Sequence, residues 1–183
     1  ENSNQPARAL DAYKKAIEAE PNYWRNYQDL GTFYYYRDEF DEAIEQYKKL
    51  VQVAPDLASA HYALAAPYVN LGRYADAARS NELAIAADED YISQCRAQGL
   101  YPMAYYPHNL HFLWFASTAE GNSKIAIEAA RKAASQVSDD TLKAVPLLAG
   151  FRVVPYYALT RFGKWDEMLR EPEPPPISAY LTG

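Results

Sequence analysis

The sequence predicts an all-α chain, an antiparallel helix-hairpin solenoid of about five units. Three observations carry that prediction. Residues recur at a spacing of 34: Ala9, Ala43 and Ala77, Tyr13 and Tyr47, Pro21 and Pro55, Leu30 and Leu64, Tyr34 and Tyr68. Glycine is scarce, 7 residues in 183, whereas alanine is abundant, which favours helices over glycine-rich β architectures. A single helix hairpin cannot bury its apolar face alone, so a tandem period of this length implies stacked copies.

The elements follow in order. Ahead of Trp24 only the second helix of a unit is expected, over 7–20. The chain should therefore begin mid-unit, either after a cut in a longer protein or with a one-helix cap. The first full copy has helices at 24–37 and 40–53 with Pro55 beyond them, and the next spans 58–91. Together these make a regular segment, 1–91. Residues 92–106 read as an insertion, because the register slips there: Glu89 replaces the expected proline and Asn81 the interhelix aromatic. Gly121 then takes the place of Gly72, which predicts degenerate hairpins across 107–171. The first covers 107–137, with Pro107 in its opening turn and Asn122 or Ser123 capping its second helix. The second has helices near 153–161 and 164–170, with Pro146 and Pro155 breaking the stretch between into short pieces. The proline-rich end, 172–183, should be extended.

From about Arg8 to Ala87 this pattern closely resembles the tetratricopeptide repeat, which implies a right-handed superhelix with a concave binding groove. The runs QGLYPMAYYPHNLHFLW, GNSKIAIEAARKAA and RFGKWDEML resemble a group of bacterial tetratricopeptide-repeat proteins without established activity. In that group further histidines are expected where this chain reads YALAAPYVN. That departure, beside the regular first half, fits a junction of two repeat segments near 66–72.

The resemblance implies which residues face the groove. Carried onto this chain, they include Arg25, Gln28, Tyr35, Tyr36, Tyr62, Asn70, His108, His111 and Phe115. Such a surface is aromatic and polar with little charge, which suits a peptide or protein segment. The lysines and arginines that would clamp a terminal carboxylate are missing, since the relevant places hold Asp29, Ala63 and Phe112.

Other functions are disfavoured by composition. A net charge of −6 argues against a phosphate-tracking nucleic-acid binder. No apolar run approaches the roughly 18 residues of a membrane helix. The one cysteine, Cys95, excludes a multi-cysteine zinc site and reads as a buried, inert thiol. His108 and His111, three residues apart on a helix, could hold a metal, but His61 is the only further histidine. Near a helix start, the dipole should keep both rings neutral. The acidic trio Asp88, Glu89 and Asp90 reads as a solvated face. PEPPP at 172–176 could serve as a polyproline ligand or as a linker.

The expected function is thus a non-catalytic scaffold that binds a protein or peptide in the groove. No cofactor, metal, nucleic acid or membrane is expected, and cytoplasmic placement is the default. One alternative is a self-associating repeat module. Another is a metal- or small-molecule-dependent enzyme at His108 and His111.

Overall fold

Helices at α1 (Gln5–Ala19), α2 (Trp24–Tyr35), α3 (Phe40–Val53), α4 (Ala58–Asn70) and α5 (Tyr74–Cys95) follow one another through short turns. A π-helical turn at Tyr101–Tyr105 then leads into α6 (Tyr106–Glu120), α7 (Ser123–Ser135), α8 (Asp139–Ala144), a 3-10 turn at Pro146–Leu148, α9 (Ala149–Arg161) and α10 (Trp165–Met168). This computed structural model describes residues 5–96 and 101–173, and no strand occurs among them. The expected extended tail lies almost wholly outside the described residues, as do 97–100 of the expected insertion. The chain divides into two compact units, Glu1–Ala87 and Asp88–Gly183, with the boundary inside α5.

In the first unit, the 34-residue period reappears as repeated contacts. Tyr27 donates its hydroxyl to the Pro21 carbonyl at 2.7 Å. His61, 34 places later, ties back in the same way, its Nε2 donating to the Pro55 carbonyl at 2.7 Å. Each proline ends a helix by lacking an N–H, and its carbonyl then anchors the next helix. The core here gathers Tyr27, Ala43, Tyr47, Leu50 and Ala60. Full burial of one such leucine stabilises by about 1.5–3 kcal/mol.

The close approach of α2 and α3 depends on Gly31. A Cβ there would lie 2.5 Å from Tyr47 Cε1, so only glycine lets the ring lie against α2. One copy later the corresponding residues are Ala65 and Asn81, both buried.

The turns also share one design. Gly72 (φ +70°) and Gly121 (φ +88°) hold the left-handed position that closes a helix. In each turn the next residue donates its N–H five places back, Arg73 to Tyr68 and Asn122 to Ser117, both at 2.8 Å. Orphan carbonyls at the helix end are thereby satisfied. Asn122 caps α7 as expected, its Oδ1 accepting from the Ile125 N–H at 3.3 Å.

In the second unit, Ile127 and Ala130 of α7 pack against Val154, Ala158 and Leu159 of α9, with Trp114 of α6 at the margin. Pro155 does not break the chain. It is buried inside α9, where packing of Val153, Val154 and Leu159 offsets the roughly 3 kcal/mol that a mid-helix proline costs. Cys95 is exposed, not buried, because α5 runs on to residue 95 and ends with that side chain outward.

Candidate functional site

In the first unit, the residues singled out from the sequence lie on the first helices of the hairpins, α2 and α4. Tyr35 and Tyr36 meet edge to face with ring centroids 5.7 Å apart. Asn70 of α4 reaches back, its Nδ2 donating to the Tyr35 hydroxyl at 3.1 Å, and so links the two copies. Burial, and then the nearness of Tyr35 and Tyr36, raises the pKa of both Tyr47 and Tyr62, with the bond to Thr32 opposing this at Tyr47. Four tyrosine hydroxyls therefore share one neighbourhood, each able to donate and to accept a hydrogen bond. Tyr36 is 81% exposed, a large aromatic surface held out at the end of α2.

Tyr47 was legible only as an interhelix packing residue. Its ring lies on Gly31, and its hydroxyl emerges 3.2 Å from Thr32 Oγ1. The pairing of Gly31 with Tyr47 was the available signal that this side chain would reach through to the α2 surface. Gln28 is half-buried on α2, while Arg25 is exposed and spends its guanidinium 4.8 Å above the Trp24 ring. An open cleft of about 480 Å³ lies between α1 and α2, with Ala9, Tyr13, Asp29, Thr32, Tyr36 and Arg37 among its walls.

In the second unit, His108, His111 and Phe115 fall on one face of α6. The His111 ring is enclosed by Trp114 at 5.0 Å and Phe151 at 5.7 Å, and His108 lies 4.7 Å from Phe112. Burial lowers the pKa of both histidines, and His108 lowers that of His111 further. Their neutrality thus has a different chief cause from the helix dipole expected from the sequence. Among the described residues, no group of three or more His, Cys, Asp or Glu side chains is placed to hold a metal ion. Phe115 remains 44% exposed.

Within the acidic trio Asp88 departs from the sequence reading, whereas Glu89 and Asp90 are exposed as expected. Asp88 is fully buried, not solvated. It accepts hydrogen bonds from the Tyr101 hydroxyl and from Asn109 Nδ2, each at 2.6 Å. Burial raises its pKa, although both bonds oppose the shift. Glu89 accepts from the Tyr106 hydroxyl at 2.6 Å and pairs with Lys132. Burial works against the Glu89 charge, but the bonds from Lys132 and Tyr106 outweigh it and hold its pKa below the usual value. Burial and Glu89 together push the Tyr106 hydroxyl up to about 12. The network fastens the π-helical turn and the start of α6 to α5. Its polar groups are mutually satisfied, as a structural network requires.

Comparison with known proteins places these features. Residues 31–72 match the TPR repeat model, a span that contains Tyr35, Tyr36, Tyr47, Tyr62 and Asn70. The chain thus carries a tetratricopeptide repeat over this span. It is similar to Superkiller complex protein 3 of Mus musculus, 27% identical over 97 residues, 53% of this chain and 6% of that protein. The chain thus spans only a small part of the curated relative it matches. Among solved structures, MamA shares the fold with a TM-score of 0.65 at 24% identity, over 88% of this chain and 81% of that one. YrrB, described as a TPR protein with an unusual peptide-binding site, gives 0.61 at 19% identity, over 87% and 71%. At these identities the likeness shows the fold alone. Tetratricopeptide repeats serve in general as protein-interaction scaffolds. Among the described residues, no helix is long and apolar enough to cross a membrane.

Proposed function

We propose that this protein is a non-catalytic scaffold that binds a peptide or protein segment on the α2–α4 face, through Tyr35, Tyr36, Tyr62 and Asn70. The observation that carries the reading is the cluster of tyrosine hydroxyls tied across two copies by the Asn70–Tyr35 bond. A peptide backbone needs donors and acceptors at spaced positions, and tyrosine hydroxyls supply both while the rings offer broad apolar area at low entropic cost. YrrB, a protein of the same fold with a peptide-binding site, gives a precedent for a site of this kind. Within the second unit, His108, His111 and Phe115 offer a separate set of neutral aromatic and hydrogen-bonding groups on α6.

The test is capture from a lysate by the full chain beside a Tyr36→Ala/Asn70→Ala double variant. Both side chains are exposed, so the variant should keep its circular dichroism spectrum and melting point. A protein held by the parent and lost by the variant supports the reading. Equal capture by both moves the site to another surface.

A further inference from the structure

A second candidate surface lies in the other unit, between α7 and α9. Between α7 and α9 runs a cleft of about 450 Å³, walled by Ala134, Val137, Pro155 and Tyr156, with Arg131 and Arg152 among its lining groups. The short segment that follows α10, Glu171–Glu173, forms one wall of it. Arg131 donates from Nε to Glu171 Oε1 at 2.7 Å, and its Nη2 lies 2.6 Å from the same oxygen. That forked contact leaves the Glu171 side chain only 14% exposed. The next residue is gripped by its backbone, since the Tyr156 hydroxyl donates to the Pro172 carbonyl. Glu173 also lines the cleft, and with Glu171 it adds to the effect of burial in raising the Tyr156 pKa. Arg152 stays beside them, donating to the Val137 carbonyl at 2.8 Å and to Asp139 at 3.1 Å.

An arginine fork reading a carboxylate, a hydroxyl reading a main-chain carbonyl and a proline ring between them are the parts of an extended-peptide site. Proline favours the extended form before binding, so little ordering entropy is lost on docking. Arg131 and Tyr156 hold Glu171 and Pro172, which belong to no helix, and Glu173 lines the cleft beside them. Arg131 also pairs with Glu167 of α10 at 3.4 Å. Nothing in these contacts requires that the Glu-Pro-Glu triplet come from the same chain.

We propose that the α7–α9 surface around Arg131 and Tyr156 recognises an extended acidic Glu-Pro segment of a partner protein, and that the chain's own Glu171–Glu173 lies on it as a competing internal ligand. A partner segment of that chemistry must displace the internal one, so binding in trans is weakened by the local concentration of the tether. The internal segment thereby sets a threshold for partner binding.

The test uses the full chain and a fluorescein-labelled Glu-Pro-Glu-Pro-Pro-Pro peptide, the sequence of residues 171–176, followed by fluorescence anisotropy. In an E171K chain the internal charge no longer suits Arg131, so the seat is vacated. This chain should bind the peptide saturably and at least about tenfold more tightly than the parent. Adding Arg131→Gln to E171K should weaken binding about tenfold or more, since a charged fork is lost. Adding Tyr156→Phe instead, which removes one hydroxyl with little risk to the fold, should weaken it about 2- to 13-fold. Equal affinity of the parent and E171K chains overturns the proposal. So does binding that is indifferent to both Arg131→Gln and Tyr156→Phe, or no saturable binding by an E171K chain with a native circular dichroism spectrum.

Discussion

Gly31→Ala isolates the packing on which the α2–α4 face depends. In an ordinary helix interior the change would stabilise by about 0.8–1 kcal/mol, because alanine has the better helix propensity. Here the new Cβ would lie 2.5 and 2.7 Å from two carbons of the Tyr47 ring. The ring is 4% exposed and cannot swing aside freely. Overpacking of this kind costs about 1–3 kcal/mol, so the net effect should be a loss of up to about 2 kcal/mol. The displaced ring would also draw its hydroxyl away from Thr32. In a Tyr47→Leu background the clash is relieved, and Gly31→Ala should become neutral or stabilising. A double-mutant cycle by urea denaturation should then give a coupling of about 1–3 kcal/mol between the two positions. Additive effects, or a Gly31→Ala variant more stable than the parent, would refute the reasoning.

Three further outcomes follow from the geometry. Asp88→Asn turns an acceptor of two hydrogen bonds into a group with one mismatched donor, and should lower stability by about 1–3 kcal/mol in urea denaturation at pH 7. The histidine pair titrates in a known direction: burial lowers both pKa values, so the unfolded chain takes up protons first as the pH falls. Their contribution to stability is full above the unfolded value of about 6.5 and is lost as pH falls through the folded values. Urea midpoints measured from pH 7.5 to 5 should therefore decline, with a shallower slope in a His108→Gln/His111→Gln variant; an identical slope would remove the histidines as the cause. Finally, Asn122→Ala deletes the cap of α7 and should cost about 0.5–2 kcal/mol, whereas Asn122→Ser should restore most of it.

Much of the fold could be read from spacing alone. Trp24, Phe40 and Ala58 each open a helix where the period places it, because the same proline and small-residue positions recur. Gly72 and Gly121 marked equivalent turns because both need the left-handed conformation. The features that escaped depend on partners far along the chain. Asp88 looked solvated among its acidic neighbours, and its burial is decided by Tyr101 and Asn109, 13 and 21 residues away. Glu89 is paired with Lys132 across 43 residues. Pro155 looked like a breaker because local propensity cannot report the packing that covers it. The candidate binding face was partly legible, since Tyr35, Tyr36, Tyr62 and Asn70 follow from the repeat register. The Tyr47 hydroxyl was not, because its emergence beside Thr32 needs the depth of the Gly31 contact.

The most direct measurement concerns the tyrosine face itself. Peptides would be selected from a displayed random library on the full chain, and the strongest binder titrated by calorimetry against the parent and the Tyr36→Ala/Asn70→Ala chain. The account predicts a loss of at least about tenfold in affinity, equivalent to about 1.4 kcal/mol, with the melting point unchanged. Equal affinity for both chains would contradict it.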